Sequence, residues 1–235
     1  MSAGSVTASA ASTVARYSGA HDAFTFCAGQ VFVIGSFAGR HEELLPLVEQ
    51  AANDNPGVMP FKLAYGIICV AVGRDDVARD ILSEGLATRF SEISADNVWM
   101  TSVIGYAVLA IELGDAEAAA HLLPIIEPFA AEVAFNGATS QGPVAAYAGK
   151  LASLLGEHEV AEEYLLAALD TATAFGWKYH RATTLFALAQ ARYRLNGKLD
   201  GECEAWLGEA SELSRAGGFR SWIPQIDALA GVSPR

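Results

Sequence analysis

The segment His158-Glu159-Val160-Ala161-Glu162-Glu163 carries metal-binding side chains at helical spacing. His158 and Glu162 are four residues apart, so on a helix they share a face and could hold one ion from the same side. Zinc proteases use H-E-x-x-H, with a glutamate base between two histidine ligands and a third ligand elsewhere. Here the second histidine is Glu162. Other chemistry is sparse. Asp75-Asp76 and Glu162-Glu163 are adjacent pairs, which diverge along a helix and read as solvated charges near helix N-termini. Gly35-Ser36 and Gly4-Ser5 lack the G-x-S-x-G frame of an activated serine. The three cysteines, Cys27, Cys69 and Cys203, form no C-x-x-C, so they indicate neither a disulfide framework nor a structural zinc site. Cys27 and Cys69 lie in apolar runs and fit small core positions. The expectation is a protein that is not an enzyme, with no catalytic residue, no metal and no cofactor.

Composition supports a packed core. Of 235 residues, 52% are hydrophobic and 18% charged, which excludes disorder for most of the chain. The longest apolar-rich uncharged runs, Ala23 to Gly39 and Asn97 to Ile111, hold 17 and 15 residues and include Gly, Ser, Gln, Asn or Thr. A spanning helix needs about 20 mostly apolar residues, so no membrane segment is expected. The net charge of -12 and the absence of a basic cluster argue against direct nucleic-acid contact, which requires local positive charge. Residues 1–17 read as a flexible leader rather than a secretory signal, and a cytoplasmic location follows. The remaining 18–235 form one repeat domain.

The elements that must position any site come from a repeat. Gly39, Gly73, Gly114 and Gly156 open the similar segments "GRHEELLPLVEQAA", "GRDDVARDILSEGLA", "GDAEAAAHLLPIIEP" and "GEHEVAEEYLLAALD", and Gly197 opens a weaker fifth. These glycines recur at 34, 41, 42 and 41 residues, a period of stacked helical hairpins. Each ends one apolar helix, and acidic residues begin the next. Five positions after the glycine stands a small residue (Ala78, Ala119, Ala161), and four later an apolar one (Leu82, Leu123, Leu165). Seven positions before it stand Gly66, Ala107 and Gly149, where two helices can approach. The first unit departs, with Phe32 and Leu44 at the small positions. His158 is one member of a turn position that other units fill with His41, Asp75 and Ala116.

The pattern predicts helices near 22–38, 41–53, 59–72, 75–89, 96–113, 115–130, 143–155, 158–175, 178–196 and 200–216, with a last helix at 219–230 capping the stack. The longest loop, "VAFNGATSQG" from Val133 to Gly142, is uncharged and is a candidate lid.

This arrangement resembles the tetratricopeptide repeat. The fold class implied is all-α, a right-handed superhelical solenoid of about five such hairpins plus a C-terminal capping helix. From Gly142 to Gly197 the chain also resembles the C-terminal repeat region of actinobacterial STAND regulators ending in a LuxR-type domain, and of class III adenylyl cyclases. The marks are Gly142-Pro143 opening a helix, Leu151-Ala152 before the Leu-Leu-Gly turn, Ala161 and Ala167-Ala168, and Trp177 with Arg181-Ala182-Thr183. Looser similarity spans about Leu44 to Ala230. The departures are that Gly149-Lys150 and Gly197-Lys198 are followed by leucine and lack the spaced glycine of a phosphate loop, and that no basic recognition helix follows Ala230. The resemblance therefore implies a sensor or scaffold part without its output.

Two functions follow. The first is a non-catalytic interaction scaffold of a signalling or transcription-regulator system, with a partner protein or peptide in the concave groove. The second is a sensor that binds a small-molecule effector on the same surface beneath the 133–142 loop. Candidate contact residues on or just before the first helices of the hairpins are Lys62, Tyr65, Trp99, Tyr106, Tyr147, Lys150, Trp177, His180 and Arg181. Aromatics with a few cations suit a polar metabolite, but Tyr65 and Tyr106 occupy equivalent packing positions that suit hairpin core better than ligand contact, and Lys62, Lys150 and Arg181 read as solvated or paired charges. Because His158 occupies a repeat turn position, purified protein should contain no stoichiometric zinc. Metal analysis checks this, and zinc that disappears in His158→Ala would reverse it.

Overall fold

The computed structural model describes the backbone of residues 21–231 and the side chains of 27–231. The leader read at 1–17 lies outside the described residues. Eleven α-helices account for most of the described chain: α1 (His21–Phe37), α2 (His41–Asp54), α3 (Met59–Ala71), α4 (Asp75–Ala87), α5 (Trp99–Leu113), α6 (Ala116–Ile126), α7 (Val144–Leu154), α8 (His158–Ala174), α9 (Lys178–Asn196), α10 (Gly201–Gly217) and α11 (Ile223–Ala230). The chain is all-α apart from a short hairpin between α6 and α7. Among the described residues no helix is long and apolar enough to cross a membrane.

The helix boundaries have local causes. All of Gly39, Gly73, Gly114, Gly156 and Gly197 adopt positive φ, between +68° and +82°, the backbone region that closes a helix without a Cβ clash. The following helices begin with acidic side chains that meet the positive end of the helix dipole: Glu42 and Glu43 in α2, Asp75 and Asp76 in α4, Glu117 in α6 and Glu159 in α8. Asp115 also caps α6 by accepting from the Ala118 amide at 2.9 Å.

Each helix packs on its chain neighbour, and α3, α5, α7 and α9 also pack on one another in succession. This makes an inner layer of α3, α5, α7 and α9, with the intervening helices covering it. The small side chains are where the layers touch. Ala78, Ala107, Ala119 and Ala161 have no exposed surface. A Cβ on Gly149 would lie 2.7 Å from Leu165 Cγ and 2.9 Å from the Ala161 carbonyl oxygen, so α7 and α8 approach to a distance that only glycine permits. In the first unit the tight point moves to Gly35, whose Cβ would lie 2.9 Å from Leu44.

Three segments differ from the sequence expectation. Residues 133–142 are not an irregular loop. Val133–Phe135 (β1) and Ser140–Pro143 (β2) pair antiparallel with a bulge after Ala134. Asn136 Oδ1 closes the turn by accepting from the amides of Ala138 and Thr139, at 3.0 and 2.9 Å. The second difference lies between α4 and α5, where Arg89 and Phe90 adopt positive φ. Phe90 is buried against Tyr106, with ring centroids 5.1 Å apart, and both rings fill the space beside Gly85. The last helix starts at Ile223, not Phe219, with Pro224 in its first turn.

The segment 219–222 reaches across to the turn between α1 and α2. The Ser221 hydroxyl donates to the Phe37 carbonyl at 3.5 Å, and the Phe37 ring stacks on Tyr179 of α9 at 3.4 Å between centroids, with Phe219 edge-on at 6.4 Å. The α1–α2 turn and the last helix therefore meet across the inner layer.

The close α7–α8 contact yields a prediction. Ala161→Leu should destabilise the protein by about 1–3 kcal/mol through overpacking, whereas the exposed change Glu163→Gln should leave stability nearly unchanged. Thermal melts of the two variants beside the parent protein check this.

Candidate functional site

Because the two ends meet, the inner helices surround a cavity of about 1490 Å³. Each inner helix offers it one stripe at helical spacing. On α5 the stripe is Thr101, Ile104, Gly105, Val108, Ile111 and Glu112; on α7 it is Ala146, Tyr147 and Lys150; on α9 it is Tyr179, His180 and Thr183. The hairpin and residues 220–225 complete the wall.

Polar groups gather where α5, α7, α9 and the last helix face one another. Thr101 Oγ1 donates to Gln141 Oε1 at 3.2 Å, and the Tyr147 hydroxyl donates to the Gln141 carbonyl at 2.7 Å, so the hairpin is tied to both helices. The Trp222 indole N–H donates to Tyr179 Oη at 3.0 Å. Lys150 Nζ lies 5.9 Å from the Tyr147 ring centroid and 5.3 Å from that of Trp222, within cation–π range of both. Among the described residues Lys150 makes no hydrogen bond and no ion pair within 4.0 Å. A smaller recess of about 130 Å³ adjoins it, lined by Lys150, Glu112, Gln190 and Arg194.

The electrostatics follow from enclosure. Burial lowers the Lys150 pKa, with Glu112 partly offsetting the shift. Burial raises the Glu112 carboxyl, with Lys150 opposing, although its side chain keeps surface open to the cavity. Burial, then the nearby Lys150 charge, push His180 down to about 4. Tyr179 is pushed up to about 12, also by burial. Enclosure thus favours the neutral form of each group.

Gly142 positions the hairpin on His180. A Cβ there would lie 2.4 Å from both Cε1 and Nδ1 of the imidazole, and its φ is +86°. The ring is further held edge-on by Phe37, Trp177 and Tyr179.

Of the nine residues expected to touch a ligand or partner, Tyr147, Lys150 and His180 line the cavity. The other six lie elsewhere. Lys62 pairs with Glu84, and Arg181 with Glu209 and Thr173. Tyr65 donates to Glu49 Oε1 at 2.8 Å and accepts from Arg74 at 3.2 Å, joining α3 to its neighbours. Trp99 packs on Phe129 and Trp177 on Phe175. Tyr106 is buried core, its hydroxyl 3.4 Å from Met59 Sδ. The sequence reading overlooked Glu112, Tyr179 and Trp222. Glu112 looks like an ordinary charge at the end of a repeat helix, and Trp222 is brought in only by the closure of the chain.

His158 and Glu162 face no shared ion site. Glu162 pairs with Arg192, which also reaches Glu202 and lies over Trp206. Among the described residues no group of three or more His, Cys, Asp or Glu side chains could hold a metal. Comparison with protein-family models, curated proteins and solved structures finds no match to this chain.

The depressed His180 pKa sets a pH dependence. In the unfolded chain the imidazole takes a proton near its ordinary value of 6.5, whereas the folded protein holds it neutral down to about 4. The stability this neutral packing contributes is complete above pH 6.5 and is lost progressively as pH falls toward 4, by at most about 1.4 kcal/mol per pH unit. The melting temperature of the parent protein should therefore fall more between pH 7 and pH 5.5 than that of His180→Phe, and paired melts check the difference.

Proposed function

We propose that this chain is a non-catalytic regulatory module whose interior cavity binds a small-molecule effector. In this reading the helices are a right-handed superhelical solenoid of about five tetratricopeptide-like hairpins with α11 as the cap. What carries the reading is the cavity of about 1490 Å³ with, on its wall, a Lys150 ammonium that makes no hydrogen bond or ion pair within 4.0 Å among the described residues. An ammonium has three donors and is costly to withdraw from water without acceptors, so the site is built to receive a group from outside the chain. The cavity residues offer no base hydrogen-bonded to a nucleophile: His180 makes only ring contacts, and the Ser36 hydroxyl has no partner.

Effector binding would act on the fold through the seal. The cavity wall combines α1 and α2 with residues 220–225, so an occupant would touch both ends of the described chain and favour their closed arrangement. Such a population shift suits a regulator, as does the resemblance to repeat regions of actinobacterial signalling ATPases and cyclases. The interaction scaffold is the competing reading. It draws support from open repeat surfaces in general, whereas the meeting of the α1–α2 turn with 219–222 narrows the groove here. Direct contact with nucleic acid forms no part of either reading at a net charge of -12.

The test is a thermal-shift screen with anionic, cationic and neutral small molecules. A true effector should raise the melting temperature saturably, by mass action, with about 2.7 kcal/mol added at a hundredfold excess over Kd. Val108→Trp, which fills the cavity from α5, should abolish that rise while the variant remains folded. A flat screen, with parent and Val108→Trp proteins retaining the same partner protein, would favour the scaffold instead.

A further inference from the structure

Beyond the polar groups, the cavity has a second character on its other side. Helices α1, α2 and α3 turn apolar side chains toward it, including Phe32, Leu47, Phe61 and Ile67, and α5 adds Val108 and Ile111. None of these is fully buried, and Leu47 is 55% exposed. Apolar surface left facing solvent is unfavourable at about 25 cal/mol per Å², so an apolar occupant is favoured there. The polar wall lies on different helices, α7 and α9 with the last turn of α5. The α1–α3 side also carries Ser36 and the exposed α2 side chains Glu42, Glu43, Gln50 and Asp54, so the cavity has an apolar strip along α1–α3 with polar groups beside it, and a cation at Lys150.

Resting on the effector-binding reading, we propose that the cavity takes an anionic amphiphile, with a carboxylate head at Lys150 and a long apolar body along α1, α2 and α3. Three observations bear on the sign of the head group. Lys150 Nζ has no acceptor among the described residues, and its two nearest neighbours are the rings of Tyr147 and Trp222. Burial raises the Glu112 carboxyl, so this neighbouring acid opposes a carboxylate less than an ordinary glutamate would. The remaining cations on the lining are placed for solvent: Arg40 pairs with Glu43 at 3.6 Å and Arg220 is exposed. A cationic head would meet Lys150 directly, and a neutral head would leave its charge unmatched.

The experiment measures binding of palmitate, hexadecanol and hexadecylamine to the intact protein by equilibrium dialysis, each below the concentration at which it self-associates. Palmitate should bind saturably at one site and at least about tenfold more tightly than hexadecanol, because a charge-assisted hydrogen bond to Lys150 distinguishes the two. Lys150→Met keeps the length and apolar stem of the side chain, and it should bring palmitate down to the level of the alcohol without changing the alcohol. Glu112→Gln, which removes the acid, should retain palmitate binding. Hexadecanol equal to palmitate in the parent protein would overturn the proposal without recourse to any variant. So would preferential binding of hexadecylamine, which would assign the head-group site to Glu112. Co-sedimentation with phosphatidylglycerol vesicles in the absence of palmitate binding would also overturn it, by placing the anionic lipid outside the cavity. If all three amphiphiles fail while another small molecule still raises the melting temperature and Val108→Trp abolishes the rise, the ligand class is wrong and the effector-binding reading stands.

Discussion

The contact between Phe37 and the far end of the chain is the interaction on which the interior depends. Its ring lies flat on Tyr179 and edge-on to Phe219, and its carbonyl accepts from Ser221, 184 residues away. An aromatic pair adds about 0.5–1.5 kcal/mol beyond the area it buries, and the entropy of closing a long loop grows only with the logarithm of its length. The intervening helices bear most of that closure already, since each packs on its neighbours. A few rings at the seam therefore suffice to narrow the groove on the side of the last helix.

Enclosure has an electrostatic cost that the fold carries in one place. Lys150, Glu112 and His180 are all shifted toward their neutral forms by the same desolvation. Elsewhere several charged groups on the helices are matched: Arg192 with Glu162 and Glu202, Arg181 with Glu209, Arg215 with Asp227. The contrast gives the cavity its meaning. Groups shifted in this way by burial cluster at functional and strained sites.

The hairpin between α6 and α7 shows how a local motif is recruited into this design. Its turn is closed by Asn136, and its body is tied to α5 through Thr101 and to α7 through Tyr147. Gly142 lets the strand lie directly on the His180 ring, a contact that any Cβ would block. The element expected to be a lid is thus fastened to two helices, and the seam between the α1–α2 turn and residues 219–222 is held by Phe37 and its partners.

Much of the secondary structure was legible in the amino-acid order, because helical hairpins are specified by contacts within about forty residues. The glycines that end helices and the acidic first turns act over one or two turns, and the small residues Gly149 and Ala161 act between neighbouring helices of one hairpin; each lies where the spacing placed it. The hairpin at 133–142 was not legible, since the pairing of Val133 with Pro143 depends on a turn and a bulge that a short uncharged segment does not announce. The site was legible only in Tyr147, Lys150 and His180, which lie on inner helices whose phase the repeat sets. Glu112 belongs to it because α5 packs on α7, and Trp222 because the C-terminal segment folds back, so tertiary packing brings an acid at the end of α5 and an indole just before α11 to the same lysine. Local sequence determines which face of each helix is apolar. How the helices pack on one another along the chain determines whether those faces line a common space, and that depends on many packing angles that no single hairpin encodes.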